Sequence, residues 1–122
     1  MPVSIFDLKR GLCDVDVPIG KETVHVTYRP GVITPGFTDR FWFAPAVWLA
    51  QVVERWDVLG EDDQPLPLRA RDEQGKETKE PSGPLTELPN DFLMLVQRSI
   101  NRDLLPGKRF GATSDASLPQ MG

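Results

Sequence analysis

The stretch DVDVPIGKETVHVTY, residues 14–28, decides the fold class. On its first arm Val15 and Val17 alternate with Asp14 and Asp16. On its second, Val24, Val26 and Tyr28 alternate with Thr23, His25 and Thr27. Strand side chains point to opposite faces in turn, so each arm has one apolar and one polar face. The PIGK at 18–21 supplies a turn between them, and the whole reads as a β-hairpin over about residues 14–28. An isolated hairpin is marginal in water, so its apolar face must lie on helices or on a partner's sheet. The remaining signals are helical. The expected class is therefore α+β: an N-terminal β-hairpin followed by a small, mainly α-helical domain.

Working outward, RPGVITPGF at 29–37 carries two Pro-Gly pairs and reads as turns. Trp42, Ala46, Leu49, Val53 and Trp56 then keep the three-and-four spacing of one helix face, which predicts a helix over about 38–57, capped by Thr38. Pro45 either kinks this helix or opens its main part at the first-turn position, where a missing N–H costs little. Phe41, Phe43 and Trp48 fall elsewhere around the cylinder. A helix apolar over so much of its circumference is central in its own fold or buried against another chain. Trp42 and Trp56 read as core, whereas Trp48 is a candidate interface anchor, because tryptophan is enriched at binding hot spots.

The next segment, WDVLGEDDQPLPL at 56–68, reads as a helix exit. Gly60 permits a left-handed stop, an acidic turn follows, and two prolines hold Leu66 and Leu68 on extended chain. Residues 69–84 have no apolar periodicity and predict an inserted, mobile surface loop. Leu88, Phe92, Leu95, Val96 and Ile100 give an amphipathic helix over about 88–105, with Asn90 or Thr86 as cap and Pro106 and Gly107 as stop. Ser4 with Asp7 predicts a short helix ending at Gly11, and 107–122 a flexible tail, so that 1–106 forms one small domain.

Composition narrows the function. A chain of 122 residues with 39% hydrophobic content suits one domain with a modest core. The 12 prolines, about twice the usual share, divide it into short elements. A formal net charge of −4, with basic residues scattered and no patch larger than the pairs Lys9–Arg10 and Lys108–Arg109, argues against nucleic acid as a partner. Cys13 is the one cysteine, which excludes an internal disulfide and suits a reducing compartment. No secretory-signal pattern opens the chain, and no apolar run approaches the ~20 residues of a membrane helix. A cytoplasmic location without membrane attachment is expected.

Chemistry is sparse. His25 is the only histidine and lies on the polar face of its strand, where a solvated role is the plain reading. Metal binding would need converging ligands, and there is neither a second histidine nor a second cysteine. Asp14 and Asp16, and Asp62 and Asp63, do not form a calcium-loop pattern. Cys13 reads as a small buried residue. PGVITPG lacks the Lys-Ser/Thr of a phosphate loop, and no Gly-x-Ser-x-Gly elbow occurs. No enzymatic activity, cofactor or metal is expected.

The succession of an apolar helix ending in Trp56 and Asp57, an acidic turn, Pro-Leu-Pro-Leu at 65–68, then Leu88, Pro89 and an amphipathic helix resembles the tail assembly chaperones of long-tailed bacteriophages. The VTYRPGVITPGF at 26–37 is similar to the Val-x-Tyr-Arg-Pro segment that follows their N-terminal hairpin. The resemblance covers about residues 14–106. One departure is that residues 69–84 interrupt a run that in relatives passes directly from Pro-Leu-Pro-Leu to Thr-Glu. Many members also have a longer, frameshifted form arising near a Gly-Lys pair, and Gly107 and Lys108 lie near this chain's end. The resemblance implies a non-enzymatic role in the host cell cytoplasm: binding the tape measure protein and recruiting tail tube protein. Amphipathic helices can cover a partner's apolar stripe, which makes Trp48, Phe92, Leu95 and Val96 candidate partner contacts, each equally placed to be core. Two other roles fit the same features: a structural virion component such as a head–tail connector or tail-completion protein, and a phage adaptor binding a host protein. Oligomeric state is not legible.

Overall fold

The computed structural model of the chain describes Ser4, Ile5 and residues 11–104. The protein is α+β. Strand β1 (Cys13–Ile19) and strand β2 (Glu22–Tyr28) form the expected antiparallel hairpin. Val15 pairs with Val26 and Val17 with Val24 on the apolar face, while Asp16 pairs with His25 and Asp14 with Thr27 on the other. Gly20 takes a φ of 62° at the first position of the two-residue loop, a backbone that a Cβ disfavours and that matches the twist of the two strands.

The segment expected to be one helix over 38–57 is three elements. Helix α1 (Pro35–Phe41) is capped by Thr34, whose hydroxyl accepts from the Phe37 N–H at 3.1 Å; Thr38 lies inside it. Helix α2 (Pro45–Val52) opens on Pro45, the second of the two roles expected for that proline. Strand β3 (Val53–Trp56) follows without a linker and pairs with β2, completing a sheet of order β1-β2-β3. Helical spacing was misleading here for a specific reason. Tyr28 pairs with Val53 and Thr27 with Arg55, so Glu54 is an extra, bulged residue. The bulge turns both Val53 and Trp56 inward, and a bulged strand thereby imitates the i, i+3 pattern of a helix.

Since no helix ends at Trp56, Gly60 is not a helix stop. Residues 58–66 fold back as a tight loop, with the Leu66 N–H donating to the Val58 carbonyl at 2.7 Å and the Gly60 N–H to the Gln64 carbonyl at 2.8 Å. The left-handed residue is Asp63 (φ 59°), not the glycine. The Trp56 indole N–H donates to the Leu66 carbonyl at 3.0 Å, and Leu66 and Leu68 are buried. The Pro-Leu-Pro-Leu segment thus contributes two core side chains on extended chain.

Residues 69–84, expected to be a loop, form a second hairpin, strand β4 (Arg69–Arg71) with strand β5 (Glu77–Pro81), and a helical turn α3 (Gly83–Thr86). Its strands carry no apolar alternation because a buried guanidinium anchors them. Arg69, 8% exposed, donates from Nη1 to the carbonyls of Ala50 (2.7 Å) and Val53 (2.6 Å), from Nη2 to that of Glu54 (3.1 Å), and from Nε to Glu77 (2.9 Å). These are the carbonyls freed where α2 becomes β3. Ser82 ties the hairpin to the rest: its hydroxyl donates to the Pro67 carbonyl and accepts from the Leu85 N–H.

Helix α4 (Asn90–Asp103) matches the last expected helix, but neither Asn90 nor Thr86 caps it; the cap position is Pro89. The core lies between α2, α4 and the three-stranded sheet. Trp48, Leu49, Ala50 and Val52 of α2 are all fully buried, so this helix is central in its own fold. Each large side chain of this kind contributes about 1.5–3 kcal/mol on burial. Residues 6–10 of the helix expected at 4–11, and the tail over 107–122, lie outside the described residues. Among the described residues no helix is long and apolar enough to cross a membrane.

Candidate functional site

The four candidate contacts part company in the structure. Trp48 and Val96 are wholly buried in the chain's own core and offer nothing to a partner in this state. Trp48 stands edge-on to Trp42 at 5.9 Å between ring centroids and packs on Phe37 at 6.2 Å. Val96 shares the inner side of α4 with Leu93 and Ile100. Leu95 points outward at 40% exposure. Phe92 is half-buried, its ring 6.2 Å from that of Trp56. Only Leu95 and Phe92 therefore remain available as contacts.

Phe43 and Leu59 are exposed apolar side chains that the sequence pattern did not single out. Phe43, in the turn between α1 and α2, is 94% exposed. Gln97 holds that turn in place, donating from Nε2 to the Trp42 carbonyl at 3.0 Å. The available signal was Pro45: a proline at a helix start puts the residues before it in a connecting turn, where an aromatic has no helix face to join. Leu59, 56% exposed, projects from the tight loop at 58–66. Its signal was the Glu-Asp-Asp run just beyond it, which belongs at a solvated tip.

Two open grooves lie beside Leu59 and Leu95. The first is floored by Leu59, Leu88 and Pro84 and rimmed by Glu61, Asp62 and Glu87. The second runs along α4 beneath the end of β1. It is lined by Ile19, Phe92, Met94 and Leu95, with Arg98 and Arg102 at one side. Asp91 also reaches the second groove, its carboxylate accepting from the Phe92 N–H at 2.8 Å.

His25 is 63% exposed and hydrogen-bonded through Nδ1 to Asp16 of the neighbouring strand. Asp57 approaches the other ring nitrogen at 3.9 Å and accepts from the His25 backbone N–H at 2.8 Å. The hydrogen bond that the ring N–H donates to Asp16, then the charge of that carboxylate, raises the imidazole pKa above the usual 6.5. A ring NMR titration is accordingly expected to show a midpoint above 6.5, with Asp16→Asn returning it toward that value. Because the folded pKa is raised, the pair's stabilising effect is complete below the unfolded value and is lost as pH rises through the folded one. The arrangement is a cross-strand pair between β1 and β2.

Cys13 is buried at the start of β1, opposite Tyr28. Burial, then a 2.7 Å hydrogen bond from its hydroxyl to Asp103, pushes the Tyr28 phenol far above its usual range, so it acts as a donor that ties β2 to the end of α4. Among the described residues no three His, Cys, Asp or Glu side chains converge as a metal ion would need. No family model, curated protein or solved structure matches the chain.

Proposed function

We propose that the chain is a non-enzymatic tail assembly chaperone of a long-tailed bacteriophage, binding the tape measure protein in the host cytoplasm and assisting tail tube assembly. The observation that carries this reading is the order of motifs: a hairpin running into Val-Thr-Tyr-Arg-Pro, Trp56 with Asp57, Pro-Leu-Pro-Leu, then Leu88 and Pro89 before an amphipathic helix. The surface is physically suited to the role. Phe43 and Leu95 are apolar side chains held outward on an acidic chain, by a hydrogen-bonded turn and by a helix respectively. Such rigid anchors bind an exposed apolar stripe with little loss of side-chain freedom.

The test is a tagged pull-down from cells expressing the whole tail gene cluster, read by mass spectrometry. Recovery of the tape measure protein is expected, together with a longer form of this chain sharing residues up to about Lys108. Phe43→Ser or Leu95→Ser should cut that recovery about tenfold or more, the ~1.4 kcal/mol of an anchor residue, while the melting temperature stays within a degree or two. Recovery of only portal or tube proteins, with the chain retained in finished particles, would reject the chaperone role in favour of a structural one.

A further inference from the structure

The two grooves described above meet at one corner. Leu88 lines the acidic groove and Pro89, the next residue, lines the basic one. Phe92, in the lining of the basic groove, packs on the buried Trp56 with ring centroids 6.2 Å apart. We propose that the chain pairs with a second copy of itself through this face, each copy setting its basic groove on the other's acidic groove.

Charge complementarity identifies the occupant. Glu61, Asp62 and Glu87 rim the first groove, and among the described residues no lysine or arginine lines it. Arg98 and Arg102 flank the second, where the one carboxylate among the described lining residues, Asp91, accepts from a backbone N–H. Among the described residues Glu61, Glu87, Arg98 and Arg102 form no ion pair within the chain. The first groove is thus acidic and the second, with two guanidinium groups against one carboxylate, net basic, each over an apolar floor. Leu59 and Leu95, 56% and 40% exposed, would be buried at the contact.

Adjacency determines the symmetry. A two-fold rotation about an axis near the shared corner exchanges the grooves, so one contact makes both pairings and closes as a dimer; widely separated grooves would instead build an open chain. Like charges set opposite one another would penalise other registers. Both surfaces are already ordered, one by main-chain hydrogen bonds across the 58–66 loop and the other by a fourteen-residue helix, which lowers the entropic cost of association. The inference does not rest on the chaperone reading.

The experiment is sedimentation of the full chain over micromolar to millimolar concentrations at low and high salt. Wild type is expected to show a concentration-dependent dimer that weakens with salt, since rim charges are screened. Reversing the acidic groove (Glu61→Lys with Glu87→Lys) or the basic groove (Arg98→Glu with Arg102→Glu) should each raise the dissociation constant at least about tenfold. Combining all four substitutions in one chain should restore the dimer, because the charges remain complementary. All four sites are exposed, and unchanged circular dichroism would verify that the fold persists. A monomer throughout the range overturns the proposal and leaves the grooves to terminal residues or to a different protein. A dimer that ignores either reversal, or that the combined chain fails to recover, overturns it as well.

Discussion

Trp48→Ala is expected to destabilise the protein by about 3–5 kcal/mol, the cost of emptying a large aromatic site in a packed core. Trp48 is fully buried on the central helix and joins Phe37, Trp42 and the rest of α2 to the core. The void would be left in an element packed on both α4 and β5, where collapse to fill it is hindered from two sides. One feature acts the other way. The indole N–H of Trp48 is buried and no described residue accepts from it, a loss of about 1–3 kcal/mol relative to a satisfied donor. Trp48→Phe removes that orphan while keeping most of the ring volume. It should therefore lie within about 1–2 kcal/mol of wild type. Urea unfolding of the two variants measures the difference. A loss below about 1 kcal/mol for alanine would mean that α2 is not the centre of the core.

Arg69→Met is the second large effect, about 3–5 kcal/mol, although its aliphatic stem is nearly conserved in volume. The guanidinium serves three main-chain carbonyls where helix α2 turns into strand β3, and it also holds Glu77 on β5. Methionine leaves those carbonyls without their donor and strips the second hairpin of its anchor. Arg69→Lys should recover less than half of the loss, since one ammonium cannot match the fork geometry of the guanidinium. The signature is local as well as global: amide exchange in β4 and β5 should accelerate more than in β1 and β2.

The Arg69 hydrogen bond also holds the Glu77 carboxyl below its usual 4.5, with the charges of Arg69 and Arg71 adding to it. A depressed folded pKa means stability that is present above the unfolded value and lost as pH falls through the folded one. Glu77→Gln should flatten this acid limb of the melting temperature below about pH 5. Glu77 is 45% exposed, so solvent screens the pair and the change is modest beside the loss in Arg69→Met.

Much of the candidate interaction surface was hidden in the sequence. A leucine at 95 and a valine at 96 are neighbours on a helix about 100° apart, and nothing local says which of them faces the core. The packing of α4 on α2 and β1 sets that rotation, sending Val96 inward and Leu95 outward. Trp48 was equally ambiguous, because an apolar helix suits a core and an interface alike. The pairing of acidic and basic grooves brings together residues 59–67, 84–88 and 89–102, a proximity that no single stretch encodes.

By itself the sequence determined the first hairpin and its two faces, a proline-led break at Pro45 and the existence of the last helix. These rest on interactions within a few residues: alternation along a strand, the fixed φ of proline, and amphipathic spacing over a few turns. Only tertiary structure decided that residues 53–56 are a strand and that 69–81 form a second hairpin. The first depends on β2 supplying a partner edge and on the bulge at Glu54; the second depends on Arg69 reaching carbonyls 15 to 19 residues away in the chain. Strand pairing and a buried guanidinium are long-range contacts, and their stabilising energy exists only once the distant partner is in place.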